Sequence, residues 1–333
     1  RQVMAGDDSE LVRAAAARQW PTVRKLMAAG PSEKQLSAIH FQGHTALVVA
    51  IEALQTDIAM DLIDMMSNKT LGLRRTINNG LRSLDAVDMA CRRGQAAVLR
   101  KLLDRGVQGD ARVLMCRSDI TCSREVLEVL LDYQPDAVRT PIGASITYKN
   151  SPLHSNACRY DALAAEALEL LAERSEPEDL AVASLDGMIP LMVACHSSPA
   201  NVLALLPYTP LAGLVQRARF REDGEVPALG IYIRMLPKFY RPRMKAKAKE
   251  ALVALLDATP QDAIESLTGT GASALHMAVL HSVEPEYTSE ILLRIGDARW
   301  KKHPALDQTA LEIAQRDDKQ DLVALLEHRA KRA

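Results

Sequence analysis

Aromatic side chains are scarce in this chain: they make up 4% of 333 residues, with three Phe, two Trp and seven Tyr. The interior therefore has to be built from Ala, Leu, Val, Ile and Met, which suit thin, closely stacked helical layers better than one thick core. No run of eighteen uncharged apolar residues occurs, so no membrane-spanning helix is expected. Arg1 to Glu10 lack the apolar stretch of a secretory leader, which points to a cytoplasmic setting. The chain opens on Arg1 rather than Met, as a piece of a longer protein would, and an upstream leader stays open.

Charge of one sign is also lacking. With 41 basic against 42 acidic side chains the net charge is −1, so the whole molecule is not drawn to nucleic acid or an anionic membrane. Any electrostatic preference must be local. The five Cys, at 91, 116, 122, 158 and 195, are odd in number and form no close C-x-x-C pair, which argues against a disulfide framework or a structural zinc site. The chain contains no H-E-x-x-H and no G-x-S-x-G. Gly269-Thr270-Gly271-Ala272-Ser273 precedes a helical pattern but lacks the downstream Lys-Ser/Thr of a phosphate loop. Glu173 and Glu176 lie in a polar stretch ending Glu178-Asp179, which reads as a solvated turn. A non-enzymatic chain with no metal, cofactor or small-molecule substrate is expected.

What is present is a repeat. Paired aliphatics recur as Val98, Leu99, Leu102, Leu103; Val126, Leu127, Leu130, Leu131; Val202, Leu203, Leu205, Leu206; Leu252, Val253, Leu255, Leu256; and Leu322, Val323, Leu325, Leu326. Those spacings cover one broad helical face, wide enough to touch a neighbour on either side. Ahead of such helices stands a shorter, small-residue helix. Its signature is Gly43-His44-Thr45-Ala46-Leu47 leading to Ala50, Ser151-Pro152-Leu153-His154 to Ala157, Ser273-Ala274-Leu275-His276 to Ala278, and Thr309-Ala310-Leu311 to Ala314. Ser or Thr caps a helix start, Pro is tolerated in the first turn, and Ala lets backbones approach.

This pairing resembles the ankyrin repeat, whose signature is T-P-L-H-x-A-A. The resemblance implies an all-α fold: a solenoid of stacked helix pairs with short β-turn fingers, forming one array over 1–333. Anchor residues are Ala14, Ala50, Ala90, Met115, Ala157, Ala194, Ile231, Ala278 and Ala314, with a mean spacing of 37.5 residues, against about 33 for ankyrin repeats. The approximate units are 7–32, 40–66, 80–106, 110–134, 148–174, 184–207, 225–259, 268–296 and 304–330. The seventh is inferred from the 84-residue gap between Ala194 and Ala278. Cys91, Cys116, Cys158 and Cys195 each replace the second Ala of the signature, where a buried, free thiol serves as a small hydrophobe. His154 and His276 fall on the signature His, whose ring hydrogen-bonds neighbouring turns in ankyrin proteins.

Ankyrin arrays act as protein-interaction scaffolds, in eukaryotic regulators and in bacterial proteins delivered into host cells. The position just after the signature implies a partner-facing groove holding Arg92, Arg117, Arg159 and His196, with Arg93 and Tyr160 alongside. Arg and Tyr are common interface anchors, and guanidinium groups at layer spacing favour an acidic peptide or acidic protein surface. The resemblance implies that the partner binds through this concave groove and the finger loops, of which the stretch from Gln134 to Asn150 is a long one with Tyr148 and Lys149 near its tip. Arg234, Lys238, Arg241, Arg243, Lys245 and Lys247 form an acid-free segment around Phe239 and Tyr240. It is mainly a solvated loop and helix start, and the alternative is an anion-binding adaptor for nucleic acid or phosphoinositide.

Overall fold

The computed structural model describes residues 9–40, 43–72, 85–116, 123–139, 151–161, 163–184, 186–220, 224–239, 242–295 and 300–330. The chain divides into two compact units, Arg1–Ala137 and Val138–Ala333.

In the first unit the described helices form four successive pairs. They are α1 (Glu10–Ala16) with α2 (Trp20–Ala28), followed by the short α3 (Glu33–Leu36); α4 (Ala46–Glu52) with α5 (Thr56–Met65), followed by α6 (Asn68–Leu71); α7 (Ala86–Arg92) with α8 (Ala96–Asp104); and α9 (Ala111–Cys116) with α10 (Arg124–Tyr133). First helices stack α1 on α4 on α7, and second helices stack α5 on α8 on α10. Cap chemistry sets where each first helix begins. The side chains of Ser9, Thr45 and Asp85 accept from the backbone N–H of Val12, Val48 and Asp88, supplying partners for N–H groups that have none within the helix. Buried aliphatics such as Val98, Leu99, Leu102 and Leu103 then hold the layers together, each contributing about 1.5–3 kcal/mol on leaving water.

The second unit holds five pairs among the described residues. These are α11 (Pro152–Ala157) with α12 (Leu163–Glu173) and α13 (Pro177–Leu180); α14 (Pro190–Ser197) with α15 (Pro199–Leu205) and α16 (Leu211–Val215); and α17 (Ala228–Met235) with α18 (Pro242–Ala258) and α19 (Gln261–Glu265). After them come α20 (Ala274–Leu280) with α21 (Pro285–Ile295), and α22 (Ala310–Arg316) with α23 (Gln320–Ala330). A two-residue hairpin, β1 (Ala218–Arg219) against β2 (Glu225–Val226), precedes α17. First helices run α11, α14, α17, α20, α22 in contact, and second helices run α12, α15, α18, α21, α23.

The anchor alanines have a backbone role. The carbonyls of Ala14, Ala50, Ala90, Ala278 and Ala314 each accept from the N–H five residues on, in Gln19, Gln55, Gln95, Val283 and Lys319. The intervening residues Arg18, Leu54, Gly94, Ser282 and Asp318 all have positive φ, between 52° and 68°. This is the turn that closes a helix through one left-handed residue, and it satisfies end carbonyls that would otherwise lack partners.

A third, short helix accounts for the long mean spacing, and the sequence reading did not include it. Ser32, Ser67, Gln134, Glu176, Pro210 and Pro260 each stand four residues before a buried aliphatic: Leu36, Leu71, Val138, Leu180, Leu214 and Ile264. The segments between are α3, α6, a 3-10 turn at Pro135–Val138, α13, α16 and α19. Glu178-Asp179 therefore sits in a helix, not in a solvated turn, because Leu180 buries behind it. Between α8 and α9 no such helix intervenes, and there the anchor spacing is 25 residues.

Candidate protein-recognition surface

At the C-terminal ends of the first helices in the first unit, Arg92 and Arg93 are exposed. Arg93 reaches back one layer to Glu52, with an N···O distance of 3.3 Å. Arg117, the next member of the expected column, lies outside the described residues, as do Tyr148 and Lys149.

In the second unit the ends of α11, α14 and α17 lie on adjacent helices. Arg159 is turned inward: its side chain is only 11% exposed. Its Nε donates to Asp161 at 2.8 Å and its Nη1 to the Asn156 side chain at 3.2 Å. Tyr160 beside it is 71% exposed. His196 packs edge-on against Phe220, with centroids 5.8 Å apart. The Arg234 guanidinium stands over the same Phe220 ring at 5.9 Å, within reach of a cation–π attraction. Phe220 follows β1, so the small hairpin places the ring on which a histidine and an arginine from successive layers converge. The sequence reading missed Phe220, because its position depends on the hairpin and on no spacing within the repeat.

The basic segment is partly neutralised by the next layer. Lys245 bonds Glu284 at 2.9 Å, and Lys249 lies 3.5 Å from Glu286 and 3.4 Å from Glu290. The Glu284 carboxylate raises the Lys245 pKa. Lys238 and Lys247 are exposed. Arg241 and the Arg243 side chain lie outside the described residues. The acid-free run in the sequence thus meets acids that only stacking brings to it.

Both signature histidines are buried and tied to caps. His154 Nδ1 lies 2.9 Å from the Ser151 hydroxyl, and its Nε2 lies 3.0 Å from the Met188 carbonyl of the next layer's turn. His276 Nδ1 lies 2.8 Å from the Ser273 hydroxyl, and its ring meets His303 edge-on at 5.5 Å. Burial, with His303 beside it, lowers the His276 pKa to about 4. Burial also lowers the pKa of His154.

Cys91 and Cys195 are buried, and burial drives the Cys195 pKa strongly upward. Cys158 departs from the expectation, being exposed. Its helix ends at Ala157, which leaves Cys158 at the cap, where its thiol donates to the Ser155 carbonyl at 3.1 Å. The side chain of Cys116 lies outside the described residues. Among the described residues no group of three or more His, Cys, Asp or Glu could hold a metal ion, and no helix is long and apolar enough to cross a membrane.

Side chains also stitch each layer to the one before. The Gln95 amide donates to the Ile51 carbonyl at 2.6 Å, Asn201 to the Ala157 and Arg159 carbonyls at 3.1 and 2.9 Å, and Lys319 to the Val279 carbonyl at 2.6 Å. A capped first helix, an anchor Ala closing it and a second helix bonded back to the preceding layer recur along both units. The layers are helix pairs of an all-α repeat. No family model matches the sequence, and no curated protein matches it. Among solved structures the chain is similar to the human ASB11 ankyrin repeat domain, at 17% identity over 87% of this chain and 99% of that one, with a TM-score of 0.37. At that score the overlap adds nothing to what the layers themselves show.

Proposed function

We propose that this chain is a non-enzymatic protein-recognition scaffold whose partner lies along the C-terminal ends of the first helices. The observation that carries the reading is the line formed by Tyr160, His196 and Arg234 at the ends of the adjacent helices α11, α14 and α17, with the Phe220 ring against His196 and Arg234. Exposed Tyr and stacked Arg are the side chains that most often dominate binding energy. Arg234 places a guanidinium on that line, so the partner we propose contributes carboxylates. The odd number of cysteines, with no close C-x-x-C pair, fits a reducing, cytoplasmic setting.

Affinity capture with the intact chain, beside a Tyr160→Ala, Arg234→Ala variant, tests this. Proteins enriched by the intact chain should be lost from the variant, while its circular dichroism and melting stay unchanged. Equal enrichment by both would refute the proposed surface.

A further inference from the structure

The turns that close the first helices of the first unit share one backbone shape and differ in what stands at its left-handed position. In the first three layers that residue is Arg18, Leu54 and Gly94, at φ 55°, 60° and 68°. Glycine takes such a backbone freely, whereas a leucine there is held against its own preference. Contacts from the next layer pin the turn: the Ile51 carbonyl accepts from Leu54 N–H at 3.1 Å and from the Gln95 amide at 2.6 Å, and the Thr56 hydroxyl donates to the Gln95 side chain at 3.3 Å. Leu54 itself packs little against the fold, being 59% exposed. A bulky apolar side chain kept in water on a disfavoured backbone points to a use outside the folded chain. The space around it is open. Ala16 and Ala17 of the layer before and Gly94 of the layer after are small and exposed, and a methyl group added at Gly94 would meet nothing within 4 Å. The finger turn that pairs Ile39 with Thr45 lies at the other end of α4, so this edge is distinct from the fingers.

Charge sets what a partner must bring to this edge. Arg93 is paired with Glu52 at 3.3 Å, and Asp57 stands 4.0 Å from Arg24. Exposed Arg18 in the layer before and Arg92 in the layer after have no such partner among the described residues, and exposed Arg13 lies behind Arg18 on α1. The edge is therefore apolar at Leu54 and basic on both flanks. Each flank is one layer away, about 8–10 Å, which two to three residues of extended chain span at about 3.3 Å each. We infer that Leu54 is a recognition residue of the first unit: it packs against an apolar side chain of an extended segment of a partner protein, and Asp or Glu two to three positions to either side of that side chain meet Arg18 and Arg92. This rests on the protein-recognition reading and gives the first-helix ends of this unit an apolar contact of their own.

A random peptide library displayed on phage, panned on the full chain, supplies the probe, and the selected peptides are then measured on variants. They should carry an apolar residue with Asp or Glu two to three positions to either side. Leu54→Gly should weaken them about 10-fold or more, as expected for one leucine no longer buried, while raising the melting temperature. Leu54→Met should keep most of the affinity. Binding and stability moving in opposite directions is a result that a leucine with a packing role alone would not give. Arg18→Gln and Arg92→Gln should each weaken binding a few-fold, and more at low salt than at high. Peptides unaffected by Leu54→Gly would overturn the site, and their loss on Tyr160→Ala, Arg234→Ala would leave protein recognition standing. A library yielding no binder would count against both. Peptides that need Leu54 but carry no acid would overturn the acidic segment. Sedimentation covers the other occupant: a parent that dimerises while Leu54→Gly stays monomeric would overturn the partner segment in favour of a second copy of this chain.

Discussion

The regular layers and the middle layers of this chain end their first helices in different ways. At Ala14, Ala50, Ala90, Ala278 and Ala314 the backbone closes the helix itself, through one left-handed residue and a bond from five residues on. At Ala194 that bond cannot form, because the residue five on is Pro199, which has no N–H. There Ser198 is extended, at φ −150°, and α15 starts at once. At Ile231 the helix instead runs into a 3-10 turn at Leu236–Lys238. In the layer of Ala157, the Asn201 side chain reaches across from the next layer to take the carbonyls of Ala157 and Arg159. Where the backbone closes its own turns the layers are interchangeable. In the Ala157 layer a side chain from the next layer completes the turn, and this same stretch also brings His196, Phe220 and Arg234 together.

The largest expected effect tests the regular end of the chain by acid. His276 titrates near 4 in the fold and near 6.5 when unfolded, so the unfolded state binds the extra proton between those values. Stability should be flat above pH 6.5 and fall by up to about 1.4 kcal/mol per pH unit toward pH 4. His276→Gln should flatten that part of the profile in urea unfolding followed from pH 7 to 4. An unchanged slope would mean that the ring is not neutral and buried as described.

The middle layers are sharpened by Asn201→Ala. One buried and one part-buried carbonyl lose a donor, with an expected cost of about 2–3 kcal/mol in urea unfolding. Gln95→Ala is the matched change in a regular layer and should cost only about 1 kcal/mol, because the Ile51 carbonyl it serves also accepts from Leu54 N–H at 3.1 Å. Equal losses in the two variants would break the contrast between self-closed and neighbour-closed turns. The smallest effect is a gain. Leu54 holds φ 60° with its side chain largely in solvent, so Leu54→Gly should raise stability by about 0.5–1 kcal/mol by relieving a left-handed backbone that leucine disfavours, readable as a small rise in Tm.

Much of this was written along the chain. Capping residues such as Thr45 and Ser273, the anchor alanines and the paired aliphatics are local signals with helical period, and each places its own element. The short third helix was equally local, as a polar or proline start four residues before a buried aliphatic. It escaped notice because four-residue helices have too few turns to display a period. The face of α21 shows the limit of such patterns: Leu293 continues the run Ile291-Leu292, yet it points to solvent at 52% exposure, since three consecutive positions span too wide an arc to be buried together.

The candidate site was legible in part. Position within the repeat places Arg92, Tyr160 and His196 at the ends of first helices, because helical register is a property of each segment alone. Tertiary structure decided what those side chains do there. Arg159 turns in to Asp161 and Asn156, Arg93 takes Glu52 from the layer before, Lys245 meets Glu284 from the layer after, and Phe220 arrives by a hairpin to hold Arg234. The sequence by itself determined the helices, their caps and the residues on their faces, since backbone hydrogen bonding and apolar period act over a few residues. Which charges remain available to a partner was decided only by stacking, because an ion pair between residues some 40 positions apart has no signature in either segment.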